Sequence, residues 1–344
     1  MAKIRKRSEL IRQFILKNVE EYPETIASLT AQEFGITRQA VSNHIRLLVD
    51  QKSLQASGST KSRSYYLYPQ IEWMQTYHLN QIPAEDVVWD ADVKPLVAAL
   101  PDNVRDIWFY GFTEMLNNAM DHSSGKNVTI SLTKTANYTE IVISDDGEGI
   151  FKKIQRELNL QDERHSVLEL AKGKLTTDPD RHSGQGIFFT SRMFDEFAIL
   201  SGIVYFSHEF NKVEDWIFER DMGQSGTAVF MKLNNNTART DKQVFDDFSS
   251  GDDYAFTKTV VPVRLTQYGD EKLVSRSQAK RLLARVTKFK VVVLDFDEVE
   301  TIGQAFADEV FRVFKRQHPE VDIVSINESK HVSQMIKRAK SMSV

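Results

Sequence analysis

The chain contains no cysteine, which excludes disulfides and cysteine-based zinc sites. No apolar run approaches the roughly 20 residues that a membrane helix needs. The basic start Met1-Ala2-Lys3-Ile4-Arg5-Lys6-Arg7 is not followed by the apolar core of a signal peptide. Internal repeats and long low-complexity linkers are also missing. Together these absences predict a soluble, cytoplasmic protein with no membrane partner. What is present, 344 residues at 41% hydrophobic content, suffices for two or three domains with real cores.

Net charge is only −4, but it is unevenly spread. Residues 1–68 carry 11 Lys and Arg against 6 Asp and Glu, while the remainder carries 33 against 42. A basic head on an acidic body points to an anionic partner at the head. Helical periodicity over 8–20 (Leu10, Ile11, Phe14, Ile15, Val19) follows Ser8 as a cap candidate. A second helix over 25–34 stops at Gly35, a residue suited to a left-handed helix end. A third, over 38–49, puts Val41, Ile45, Leu48 and Val49 on one face. Its other face reads Arg38, Gln39, Ser42, Asn43 and Arg46, donors for base edges and phosphates. A hairpin over 54–57 and 63–68 then brings Lys61 and Arg63 near its tip. This order resembles a winged helix-turn-helix, which implies double-stranded DNA as partner. A small helical docking module with a solvated polar face is the alternative.

Three glycine-bearing motifs and one helix follow. Arg105 to Asp121 is a helix that buries Ile107, Trp108, Phe112, Met115, Leu116 and Ala119, and sets Glu114, Asn118 and Asp121 on another face. Asp145-Asp146-Gly147-Glu148-Gly149-Ile150 ends an alternating strand. A carboxylate there can accept from an exocyclic amine, and residues without Cβ let a ring approach the backbone. In His182-Ser183-Gly184-Gln185-Gly186-Ile187, a Gly-x-Gly opens an apolar helix whose free N–H groups favour phosphate. Ser225-Gly226-Thr227 starts an apolar strand. The set is not a Gly-x-x-x-x-Gly-Lys-Ser/Thr loop.

Four motifs in this order resemble the Bergerat-fold ATPases, which include gyrase, mismatch-repair ATPases, histidine kinases and anti-sigma-factor kinases. The resemblance implies an α/β sandwich with a mixed sheet, and ATP and Mg²⁺ as cofactors. It implies that Glu114 polarises the attacking water, that Asn118 gives Mg²⁺ an oxygen ligand, and that Asp145 reads the adenine amine. Gly147 and Gly149 would lie beneath the ring with Thr227 in support, and Gly184 and Gly186 against the phosphates. Asp121, Ile150, Gln185 and Ile187 complete the expected nucleotide contacts. One oxygen ligand is sufficient for Mg²⁺, which keeps its waters and phosphate oxygens. Residues 151–183 would form a mobile lid carrying Lys152, Lys153, Arg156, Arg164, Lys172, Lys174 and Arg181. A sensor histidine kinase is not expected, since none of the eight histidines has the acidic residue and proline that follow a phosphoacceptor.

The C-terminal part alternates strand and helix: 260–265, a Ser275-capped helix, Val291 to Phe296, a helix from Thr301, 321–326 and 329–339. A buried strand ending in Asp295 before a turn and helix is similar to STAS domains. The phosphorylated Ser of anti-sigma antagonists is missing from its turn, Thr301-Ile302-Gly303-Gln304, and Asp308 and Glu309 read as a solvated helix face.

The sequence thus predicts a multidomain α/β protein: a winged helix over 1–70, a Bergerat α/β sandwich over 84–235 and a small STAS-like α/β domain over 255–344. The expected function is a DNA-binding transcriptional regulator gated by ATP binding and slow hydrolysis. The alternative is an anti-sigma-type serine/threonine kinase acting on a STAS-like or sigma/anti-sigma-type partner. A third reading, an ATP site that only stabilises the fold, gives Glu114 no task. Winged helices commonly pair on two-fold sites, so a homodimer is also an expectation.

Overall fold

The computed structural model describes residues 2–59, 63–175, 184–209, 216–219, 225–250, 255–267 and 271–341. Lys61, Arg181, His182 and Ser183 lie outside the described residues. A seven-stranded sheet organises the middle of the chain, in the order Ile71–His78, Asn127–Lys134, Tyr138–Asp145, Thr227–Asn234, Glu196–Ser201, Val204–Glu209 and Trp216–Glu219. Every pairing in it is antiparallel, where the family resemblance implied a mixed sheet. Short turns join Asn127–Lys134 to Tyr138–Asp145 and Glu196–Ser201 to Val204–Glu209, and a short turn permits only antiparallel neighbours. The edge strand Ile71–His78 lies upstream of residue 84 and belongs to this sheet.

Strand alternation decides what each face meets. Val128, Ile130 and Leu132, with Thr139, Ile141, Ile143 and Asp145 beside them, are buried beneath the helical layer. That layer includes the Asp102–His122 helix, whose Ile107, Phe112, Met115 and Leu116 are fully buried. Burying a side chain of that size contributes about 1.5–3 kcal/mol, so this stripe dominates the local energetics.

On the opposite face sits the N-terminal module. Its helices Ala2–Asn18, Ile26–Phe34 and Arg38–Asp50 and the hairpin of Leu54–Ser57 with Ser64–Leu67 enclose their own core of Ile11, Ile15, Ile26, Val41 and Ile45. The first helix starts at Ala2, so Ser8 lies within it and does not cap it. The residues Lys3 to Arg7 ahead of it are mostly good helix formers, and the helix propagates back through them. Gly35, at φ 60°, ends the second helix, and the Thr37 hydroxyl caps the third by accepting from the Ala40 amide at 3.2 Å. The module touches the sheet through Glu20: the Tyr138 hydroxyl donates to it at 3.1 Å, and Lys232 lies over the Tyr138 ring at 4.3 Å.

The C-terminal part holds a three-stranded parallel sheet, Lys258–Pro262, Val291–Asp295 and Asp322–Ile326. Ser275 caps the Arg276–Leu283 helix in a capping box with Gln278. The strand expected over 260–265 turns at Pro262 into a short 3-10 helix, Val263–Thr266. Asp308 and Glu309, expected to be solvated, are buried at 8% and 9% exposure. A π-helical stretch, Glu309–Phe314, follows Gln304–Asp308 and alters the helix register, and Arg312 pairs with Asp308 at 3.0 Å. The C-terminal core is continuous with that of the central sheet and helices. Among the described residues, no helix is long and apolar enough to cross a membrane.

Candidate functional site

A cavity of about 370 Å³ opens between the sheet and the helical layer. This is the size range of small-molecule sites. One wall is the Asp102–His122 helix, which presents Glu114, Asn117, Asn118 and His122 to it. The opposite side brings Asp145, Ile150 and Thr227, and the Gly186–Met193 helix adds Gly186 and Ile187, with Gly184 just before it. Residues separated by more than a hundred positions therefore line one space. Asp121 is exposed and off the cavity wall, and Gly147, Gly149 and Gln185 also lie off it.

The strand explains which of two adjacent acids faces the cavity. Asp145 continues the buried alternation of Ile141 and Ile143 and is 8% exposed. Asp146 falls on the other side and holds the preceding loop, accepting from the Lys126 and Asn127 amides at 2.6 and 2.9 Å. Burial pushes the Asp145 carboxyl above its ordinary range, and the Gly147 amide, donating at 2.9 Å, and the Thr227 amide work against that shift. Bonds to the neighbouring Asn127 hold Asp146 low. A carboxylate can accept more than two hydrogen bonds, so beside these amides it is suited to a ligand that brings an N–H of its own.

Two glycines permit this geometry. Gly149, at φ 91°, starts the Ile150–Leu158 helix, whose first amide, from Ile150, donates to the Thr227 hydroxyl at 2.9 Å. A Cβ on Gly186 would run into the Glu114 carboxylate, so a larger residue there would push that acid from its present position. Burial, with the Glu114 charge beside it, pushes Tyr110 up, which keeps its hydroxyl neutral one helical turn before Glu114. Apolar residues Ile143, Ile199 and Val229 line the inner side of the cavity. No motif marks them, although each occupies a buried position of its strand, and alternation counted from Asp145 and Thr227 points to Ile143 and Val229. Asn117 carries no such signal either, while His122 follows Asp121 in the helix motif and lies on the cavity wall.

The segment expected to be a mobile lid is, through Lys172, two packed helices, Ile150–Leu158 and Glu163–Lys172. Phe151, Ile154, Val167, Leu168 and Ala171 are buried and fasten them to the core. Lys172 has only 2% of its side chain exposed. Its ammonium donates to Glu169 at 2.7 Å and to the carbonyls of Arg281 and Ala284 at 3.0 and 2.9 Å. Those carbonyls close the Arg276–Leu283 helix of the C-terminal part. Desolvation holds the Lys172 ammonium below its usual range even with Glu169 against it. The Thr259 hydroxyl donates to the Lys172 carbonyl at 2.7 Å, and Arg281 meets His165 Nε2 at 2.7 Å. Guanidinium cannot accept, so His165 accepts there and its ring is neutral. Burial first, then the Arg281 charge, lowers the His165 pKa. Phe188, Phe189, Phe256 and Phe289 pack edge-on or tilted through the same interface, with ring centroids 4.7–5.4 Å apart.

The donor set fits a nucleotide with Mg²⁺: an acid in an apolar recess for a base, and amides, Asn118 and Glu114 for the phosphate end. Of the residues expected to touch DNA, Arg38, Gln39, Ser42, Asn43, Arg46 and Arg63 are all exposed. In the third helix these residues lie away from its buried side of Val41, Ile45 and Leu48.

Comparison with protein families gives two matches. Residues 97–203 match the histidine kinase-like ATPase domain. Residues 278–333 match a STAS-like domain of unknown function. No curated protein matches the chain. The histidine kinase-like domain implies nucleotide binding, and its matched span contains most of the cavity wall.

Proposed function

We propose that this chain is an ATP-binding regulator that contacts double-stranded DNA through a winged helix over 1–70, with ATP occupancy setting that contact. The observation that carries the reading is the Tyr138–Asp145 strand. Its last residue is the buried acid of the cavity, and its first is the tyrosine that holds Glu20 of the N-terminal module. A ligand on Asp145 and the position of the basic helix are thus linked through one strand. The link works as a switch if the nucleotide binds two arrangements with affinities that differ by a few kcal/mol.

Glu114 orients water at the phosphate end, and Asn118 offers its amide oxygen to the metal. Bound Mg²⁺ would neutralise developing phosphate charge. Asp145 accepts from the adenine amine, while Ile143, Ile150 and Val229 exclude water from the ring. Arg38, Gln39, Ser42, Asn43, Arg46 and Arg63, with Lys61, face the DNA.

Duplex binding measured with ATP, ADP and no nucleotide tests the proposal. Affinity should change with ATP in the wild type and not in Asp145→Asn. Equal affinity in all three states sinks the gating. Labelled phosphate transferred to a STAS-like protein would assign the kinase alternative instead.

A further inference from the structure

We propose that Lys153 is the cation that reads the nucleotide's ribose-side phosphate, an inference that rests on the ATP reading above. Among the described residues, the cavity wall holds two carboxylates, Glu114 and Asp145, and a single Lys or Arg, Lys153. A polyanion entering between two acids needs a counter-charge, and the other basic groups of 150–175 are directed elsewhere. Arg156 pairs with Glu148, and Arg164 with Asp162 at 2.6 Å. Lys172 is sealed into its interface with Glu169, and Lys174 donates to the Lys288 carbonyl at 2.9 Å. Lys152 is exposed and off the wall.

Lys153 is held ready. It is half-buried on the Ile150–Leu158 helix, and its ammonium donates to the His122 carbonyl at 3.0 Å. That acceptor is neutral, so exchanging it for a phosphate oxygen replaces a neutral bond with a charge-assisted one. The flexible lysine stem allows the exchange without backbone movement. His122 also fixes which phosphate is met. Glu114, Asn118 and His122 succeed one another by single helical turns, so His122 lies about 12 Å along the axis from Glu114. With Glu114 at the terminal phosphate, the Lys153 ammonium waits beyond the ribose end of the triphosphate, and its stem swings back to meet the phosphate attached to ribose.

The test compares Lys153→Met and Lys153→Arg with the wild type in binding ATP, ADP, AMP and adenosine, by calorimetry in low and high salt. Methionine keeps the stem and leaves adenosine affinity unchanged. It weakens all three phosphate-bearing ligands by a similar factor, about tenfold or more, and flattens their salt dependence. Arginine restores most of the loss. Adenosine weakened as much as ATP would show that Lys153 only shapes the wall, and loss confined to ATP would place it at the wrong phosphate. Either result overturns the proposal, as does no change at all. If the wild type binds neither adenosine nor nucleotide, the ATP reading itself has failed and this assignment falls with it.

Discussion

Replacing Lys172 with methionine removes an ammonium that satisfies three acceptors across two parts of the chain. Left behind would be the Glu169 carboxylate, 7% exposed, with the Arg285 Nε 3.9 Å away. The Arg281 and Ala284 carbonyls would also lose their donor. Removing one partner of a buried ion pair costs about 3–5 kcal/mol, because the remaining charge is uncompensated. Against a total stability of about 5–15 kcal/mol, that is a large share. The double variant Glu169→Gln/Lys172→Met leaves no orphan charge and should recover at least about 1.5 kcal/mol, the coupling expected of residues in contact. Urea unfolding measures both. Hydrogen exchange locates the effect: amides in 163–175 and 276–284 should open sooner, with the strands of 127–145 unchanged. A loss below about 1 kcal/mol would refute the argument, since it would mean that the ammonium is not desolvated as its burial requires. So would a uniform rise in exchange across the sheet.

Other outcomes follow from the same geometry. Asp145→Asn should abolish stabilisation by ATP yet raise the stability of the ligand-free protein, because the folded carboxyl is raised above its ordinary 3.8. The wild type should therefore lose stability relative to this variant as pH rises above 3.8, read by thermal melts across pH. His165 has the opposite sense: its folded pKa is lowered, so its contribution is present above 6.5 and lost as pH falls below it. The fall in stability between pH 7 and about 5 should be shallower in His165→Gln, and an unchanged slope would show that neither burial nor Arg281 opposes its protonation. Glu114→Gln should keep ATP affinity within a few-fold while phosphate release drops by about 10²–10⁴. Arg46→Ala should weaken duplex binding whatever the sequence and reduce the salt slope by about 1, and a full-strength variant would remove this helix from the DNA contact.

Local chemistry makes much of this protein legible in its sequence. The three N-terminal helices and their hairpin, the Ser275 cap, the Asp102–His122 stripe and the glycine turns are set by periodicity and capping, which act over a few residues. The cavity is lined by Glu114 and Asn118 from one helix face and by Asp145 and Thr227 from two glycine motifs, all of which local patterns mark. Errors arose where a residue's fate depends on distant partners. Asp121 has the right spacing from Asn118 but falls on the exposed side of the helix, while the adjacent His122 still lines the cavity. Asp308 and Glu309 have a solvated look by composition, yet a π-helical register and Arg312 draw them inward.

The sequence alone therefore determined the local elements, the charge division and the chemical kinds of group in the cavity, all of which depend on neighbours within a turn or a strand. Only the tertiary structure decided that the expected lid is, through Lys172, two helices fastened to the C-terminal part, that Lys153 and no other described lysine or arginine faces the cavity, and that the sheet is antiparallel throughout its described pairings. Those outcomes depend on long-range burial and on pairing between segments a hundred residues apart, where many arrangements satisfy the same local pattern and packing selects one.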